Sequence, residues 1–322
     1  MDYSRYWHGY LAYLIPGLLL MDIGQVKIVL LFFEFLLTAV FLYELGKRGS
    51  LLLFLTVPVL LFLNPVTTVL SFQNADIYCI SLMASIFVLR RGKHLWEKDG
   101  YIFLFLLTGI AAAFFDFLTW PLVSLCMPLL LLLREGITDP CRPDGRKPFS
   151  PWKTVVLSTL SWGAGYAGMW AGKWVAASVL TGTDQIREAL SQAEYRTGAS
   201  YLDMEATFPN VIRRVAGPLK NLPMLFLLLL IAGIVLYFVL QKKYRPALCR
   251  TAVPEVLPLL AVGLFPFAWF LVLANHSLVH PWISYRELAI PLQAVLTALA
   301  VLLKPAGKTA GRPGAKSGHL PV

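Results

Sequence analysis

Apolar residues in this chain come in long runs, set apart by short polar stretches, and not in the alternation of a half-buried strand. A membrane-spanning helix needs roughly 20 mainly apolar residues, fewer where neighbours thin the bilayer. Nine stretches fit: 26–45, 50–64, 75–90, 101–118, 119–133, 152–180, 222–241, 256–274 and 286–303. Residues 9–20 (GYLAYLIPGLLL) are apolar but short and broken by Pro16-Gly17, which predicts an interfacial or re-entrant segment.

The long connection 181–221 carries helical patterns of its own. Asp184 is placed to cap a helix with Ile186, Ala189, Leu190 and Ala193 at helical spacing, and Gly198 closes it. Phe208, Val211, Ile212 and Val215 repeat the pattern against Arg213 and Arg214. Both predict amphipathic helices that lie on a membrane surface or cover a cavity. The expected fold is therefore all-α: one polytopic membrane helix bundle over residues 1–303 with about nine transmembrane helices. Residues 1–25 form a juxtamembrane segment, and the Gly/Pro/Lys-rich tail 304–322 is expected to be disordered.

Composition agrees, with 57% hydrophobic and only 14% charged residues and a mean hydropathy of +0.67; soluble domains run nearer a quarter charged. A net charge of +10 in a soluble protein would suggest a nucleic-acid partner, but its placement says otherwise. Lys47 and Arg48, Arg90 to Lys98, Arg134 to Lys153, Lys242 to Arg250 and the tail from Lys304 onward hold 19 of the 28 Lys and Arg residues, all on one face of a nine-helix count. The short loops of the opposite face, 65–74, 117–120 and 275–286, hold only Arg286. Positive charge marks the cytoplasmic side, so the C-terminus is expected inside and the N-terminus outside, and no nucleic acid is expected. The N-terminus has no signal-peptide pattern. An outside N-terminus then predicts that the chain lacks a first transmembrane helix its relatives possess.

Four cysteines show no CxxC or Cys/His metal spacing: Cys79 and Cys126 fall in apolar runs, Cys141 and Cys249 in basic loops. Gly163-Ala164-Gly165-Tyr166-Ala167-Gly168 matches GxGxxG, but without a preceding strand it is not a dinucleotide fingerprint. Ala164, Gly168 and Gly172 instead predict a small-residue ridge for close helix packing. Lys173 on the same helix is expected to snorkel.

The polar chemistry gathers at the side poor in lysine. Asn275 to Glu287 packs two histidines, an arginine, a carboxylate and aromatics between two apolar runs. His276 and His280 are four apart and share a helical face; with Arg286 they suit an anionic phosphate at least as well as a metal. Arg5 and His8 form a second cluster at that depth, beside the aromatic anchors Tyr6 and Trp7. Asp76 is expected to open its helix, where an acid suits the positive end, whereas Asp116 sits at a turn after a helix C-terminus, where an acid is unfavourable. Glu34 lies inside the first apolar run, as membrane glue or as a functional group. Asp2, Asp76 and Asp116 could thus abstract a proton, and Arg5, His8, His276, His280 and Arg286 could hold a phosphate.

The stretches Tyr3-Ser4-Arg5-Tyr6-Trp7-His8-Gly9-Tyr10, Phe115-Asp116-Phe117-Leu118-Thr119-Trp120-Pro121-Leu122, and Asn275-His276-Ser277 through Tyr285-Arg286 resemble the GT-C superfamily of glycosyltransferases. These multispanning enzymes use polyprenyl-phosphate sugars, and the nearer likeness is to bacterial plasma-membrane proteins related to that superfamily. The resemblance implies transfer of a sugar from such a donor, held among membrane lipids, to an extracytoplasmic acceptor. An Asp (Asp116 or Asp76, then Asp2) would be the base, and Arg5, His8, His276, His280 and Arg286 would hold the donor phosphate. No cofactor is implied, with a divalent cation left open. The competing readings are a transporter or flippase for an anionic lipid or solute, and a truncated, non-catalytic membrane protein.

Overall fold

The computed structural model describes residues 6–116, 118–138, 149–198, 200–201, 204–241, 244–246 and 253–305. Asp2, Arg5, Cys141, Cys249 and the tail from residue 306 lie outside the described residues.

The chain is an all-α bundle. In order, the helices are α1 Leu11–Leu18, α2 Ile23–Arg48, α3 Ser50–Leu63, α4 Pro65–Thr68, α5 Phe72–Glu97, α6 Tyr101–Phe115, α7 Leu122–Thr138 and α8 Pro151–Thr181. They continue with α9 Gln185–Thr197, α10 Phe208–Val215, α11 Leu222–Leu240, α12 Val253–Gly263, α13 Phe265–Val272, α14 Ala274–Val279, α15 Pro281–Ser284 and α16 Ala289–Leu302. Two short antiparallel ladders join Ser200–Tyr201 to Met204–Glu205 and Tyr244–Pro246 to Leu303–Pro305. Among the described residues six segments are long and apolar enough to cross a membrane: Ile23–Arg48, Ser50–Thr68, Phe72–Glu97, Leu222–Leu240, Pro254–Val272 and Pro281–Leu302.

Local chemistry sets the breaks between these helices. Asp22 and Gln25 form a reciprocal capping box that starts α2, with the Asp22 carboxylate accepting from the Gln25 N–H at 2.8 Å. Asn64 takes a left-handed conformation (φ 54°) between α3 and α4, which Pro65 then opens. His280 precedes Pro281, whose ring excludes the helical region for it, and so α14 ends there.

The centre of the bundle is α7 against α5: Leu129 to Leu133 are fully buried, and most of the apolar stretch of α5 is buried with them. By contrast α2 and α11 expose most of their apolar side chains, Phe32, Phe226 and Leu229 among them. Between helices in lipid there is little hydrophobic gain, so close packing and polar contacts must hold them. The α6–α8 pair shows how. A Cβ on Gly109 would strike the Trp162 carbonyl, and one on Gly165 the Leu106 carbonyl. This contact corrects the ridge expected from the sequence: Ala164, Gly168 and Gly172 are exposed, and a Cβ on Gly168 or Gly172 would meet nothing. Gly165, one helical face away, makes the approach.

The two ends of the bundle differ. At one, arginine and lysine face acids: Arg90 Nε lies 2.9 Å from Glu44, Arg48 Nε 3.4 Å from Glu135, and Lys153 Nζ 3.1 Å from Asp99. We call this the basic end. The other gathers residues 6–10, the Asp116–Pro121 turn, α9, α10 and α14, and is called the histidine end below.

Candidate functional site

Two short breaks in the apolar pattern build the histidine end. The first is the turn after α6. Asp116 leaves the helix in an extended conformation, and its carboxylate accepts the Thr119 N–H at 3.1 and 3.0 Å as well as the Thr119 hydroxyl. An aspartate that mimics a turn in this way closes it locally. Leu118 is driven to φ 64°, a conformation that costs a non-glycine residue on the order of 1 kcal/mol. The strained residue aims its carbonyl at His276 Nε2, 2.7 Å away. The second break is α14, whose single turn buries Asn275, His276 and Ser277.

Residues 6–10 strap these elements to the bundle. Trp7 Nε1 donates to the Met169 carbonyl at 2.8 Å, Tyr6 packs edge-on against Trp170, and Lys173 sits 4.9 Å over the Trp7 ring. Gly9 N–H donates to the Phe114 carbonyl at 2.9 Å, and any Cβ there would collide with Phe114.

Arg196, in the last turn of α9, closes the site. Its guanidinium donates to the Tyr6 hydroxyl at 2.6 Å and to His276 Nδ1 at 3.0 Å. Arginine has no acceptor, so Nδ1 must be the bare nitrogen of His276 and Nε2 carries the hydrogen given to Leu118. The imidazole is thus neutral, and burial together with the Arg196 charge lowers its pKa to about 4. His280, its ring 4.9 Å from that of His276, is also shifted down by burial and by Arg196. Among the described residues two of the five guanidinium N–H groups are used, by Tyr6 and His276, and three remain for a visitor.

A cavity of about 290 Å³ lies over this group, lined by Ser71, Gln73, Thr119, Arg196, His276 and His280 among others. A second cavity of about 430 Å³ shares Tyr6, Leu118 and Arg196 with it and continues between α8 and α9. Its walls are aromatic and aliphatic: Tyr166, Trp170, Trp174, Ala189 and Ala193. One guanidinium therefore stands where a polar chamber meets an apolar one.

The remaining acids and cations take up several positions. Asp76 is not at the start of its helix: α5 begins at Phe72, so Asp76 lies in the second turn, where the helix-end field has faded. It is buried, with one oxygen 3.0 Å from the Tyr13 hydroxyl and the other without a partner among the described residues. Burial and the Asp76 charge push the Tyr13 phenol well above its ordinary pKa. Asp76 and Asp116 are near enough to feel each other's charge, yet neither lines the polar cavity, which Asp116 reaches through Thr119. Arg286 is buried and turned to the backbone, donating to the Leu63 carbonyl at 3.1 Å and the Thr67 hydroxyl at 2.9 Å, and so closing the end of α3. His8 (φ 52°) lies 3.4 Å from the Tyr10 hydroxyl and edge-on to Tyr6. Glu34 is fully buried in α2 and receives the Thr68 hydroxyl.

Among the described residues no three His, Cys, Asp or Glu side chains are grouped to hold a metal ion. Sequence reasoning brought together His276, His280 and the Asp116 turn, but missed Arg196. Its only signal was a cation near the end of a helix already read as lying on a membrane surface or covering a cavity. No family description, curated protein or solved structure matches this chain.

Proposed function

We propose that the histidine end binds a polyprenyl-phosphate-linked sugar and that the protein transfers the sugar to an acceptor, as a GT-C-like membrane glycosyltransferase. The observation that carries this is Arg196 on the wall common to the two cavities. A lipid-linked phosphate needs an apolar channel for its chain, a cation at the channel mouth, and polar room beyond for its sugar. In this reading α6, α7 and α8 join the six long apolar segments to give nine spans, the basic end faces the cytoplasm of a bacterium, and the histidine end faces outward.

In the reaction the acceptor hydroxyl attacks the anomeric carbon, the bond from that carbon to the phosphate oxygen breaks, and polyprenyl phosphate leaves. Arg196 neutralises the leaving phosphate through a charge-assisted hydrogen bond. Tyr6 and neutral His276 hold the guanidinium in place without cancelling its charge. Asp116 takes the hydroxyl proton, with Thr119 between it and the cavity; Asp76 is the second candidate for that role.

The test is binding of a polyprenyl phosphate, against the uncharged polyprenol, followed by the fluorescence of Trp170 and Trp174. Hydrogen bonds to charged groups contribute roughly 1.5–3 kcal/mol, so Arg196→Ala should weaken the phosphate lipid by about 10- to 150-fold and leave polyprenol unchanged. Equal binding of both lipids by wild type and variant would sink the proposal. With a labelled lipid-linked sugar, Asp116→Asn should bind as wild type and lose transfer.

A transporter or flippase for an anionic lipid or solute is the second reading, favoured by the buried carboxylate of Asp76 inside a long apolar helix, with one oxygen unsatisfied among the described residues. Accumulation of a labelled anion in vesicles, lost in Asp76→Asn and untouched in Asp116→Asn, would select it.

A further inference from the structure

The basic end holds a cavity of its own, about 440 Å³, between the final turns of α2, α5 and α7. Arg48, Arg90, Arg91, Lys93 and Arg134 line it, and Glu135 is the one acid among the described residues of its wall. That acid is already shared, by Arg134 at 2.6 Å and Arg48 at 3.4 Å. Arg90 is held by Glu44. Arg91 and Lys93 are exposed and make no ion pair among the described residues. The Nε of Arg134 is buried with no hydrogen-bond partner there.

Positive charge at the ends of spanning helices is expected from topology alone, and so is a cation at a helix C-terminus. Neither requires five cations from three helices to converge on one concave space with a single acid among the described residues. We propose that this cavity is a binding site for a phosphate group, and that an anionic lipid headgroup supplies it. Guanidinium groups present paired donors that match phosphate oxygens, where scattered lysines would provide only a diffuse field. The position argues for a lipid: Arg48 ends one membrane-length helix, and Arg90 to Lys93 lie in the last two turns of another. Headgroups sit at that level, and Trp96 in the same wall is an aromatic of the kind found there. This site lies at the opposite end of the bundle from the histidine end and needs none of its chemistry.

The experiment uses the full chain in phosphatidylcholine nanodiscs doped with phosphatidylglycerol, with lipid retention read by native mass spectrometry. Each cation near an anionic surface contributes roughly fivefold to binding, so Arg91→Ala/Lys93→Ala should weaken phosphatidylglycerol retention by about 30-fold relative to phosphatidylcholine. Both side chains are exposed, so the variant should keep the wild-type melting temperature. The control Arg187→Ala/Arg213→Ala removes the same charge from exposed positions at the histidine end and should retain lipid as wild type does. Inorganic pyrophosphate separates the sources. Binding of pyrophosphate alone, with the same dependence on Arg91 and Lys93, keeps the phosphate site and overturns the lipid assignment. Phosphatidylglycerol retention equal in wild type and in the Arg91/Lys93 variant, with no pyrophosphate binding, overturns the site.

Discussion

At the histidine end, Arg196 and Arg286 donate only to neutral groups among the described residues: a phenol, an imidazole, a threonine hydroxyl and backbone carbonyls. At the basic end, Arg48, Arg90 and Arg134 face the carboxylates of Glu44 and Glu135. The first arrangement fixes a guanidinium in space and leaves its charge for whatever enters; the second spends much of that charge inside the protein. Arg196 borders a cavity and can use its charge, whereas Arg286, equally uncompensated, is buried against the end of α3 and serves the fold. A cation's partners and its access to a cavity, taken together, say more about its role than its presence in a polar stretch.

The largest effect that would sharpen this contrast is the pH dependence of His276. Below about pH 6.5 the unfolded imidazole takes a proton that the folded one refuses until about pH 4. Protons therefore favour the unfolded chain across that window, and stability falls as pH falls through it; near neutrality the term is absent. At roughly 1.4 kcal/mol per pKa unit the loss approaches about 3 kcal/mol by pH 4. His276→Gln should remove about 2.5 kcal/mol of the fall when unfolding in detergent is compared at pH 7 and pH 4.5. An unchanged slope would show that the imidazole is not held neutral beside Arg196.

Glu135→Gln should cost about 2 kcal/mol, because Arg134 and Arg48 then face each other without the carboxylate, and charged hydrogen bonds contribute roughly 1.5–3 kcal/mol. Denaturant or thermal unfolding measures it, and a neutral result would mean that the basic end does not rely on its acids. Arg90→Ala is the smallest. With 54% of its side chain exposed, the Arg90–Glu44 pair should contribute no more than about 1 kcal/mol and fade in 0.5 M salt. A larger, salt-insensitive loss would make the basic end as rigid as the histidine end.

Much of the helical layout was legible in the apolar runs. The expected stretch 222–241 is α11 at Leu222–Leu240, 152–180 is α8 at Pro151–Thr181, and Asp184 caps α9. Interruptions were harder to place: 256–274 divides at Leu264 before Phe265-Pro266, and 75–90 extends back to Phe72 and so moves Asp76 off its helix start. Only a neighbour could show which small residue makes the α6 contact. Ala164, Gly168 and Gly172 have the right spacing, yet Gly165 is the one that faces α6, at Leu106 and Ile110.

Arg196 shows the limit most sharply. The apolar face of α9 was assigned from Ile186, Ala189, Leu190 and Ala193, yet Ile186 and Leu190 are exposed while Arg196 turns toward Tyr6 and His276. In water an amphipathic helix buries its apolar face, but beside a bilayer apolar side chains can point outward and polar ones inward. The sequence by itself determined an all-α chain of apolar helices with one basic end and one rich in histidine and aspartate, because length and hydropathy are properties of each segment alone. Tertiary structure decided which cation meets a cavity and which closes a helix. Those outcomes depend on the rotation of each helix against its neighbours, and hydropathy does not encode that rotation when both the lipid and the protein interior accept the same apolar face.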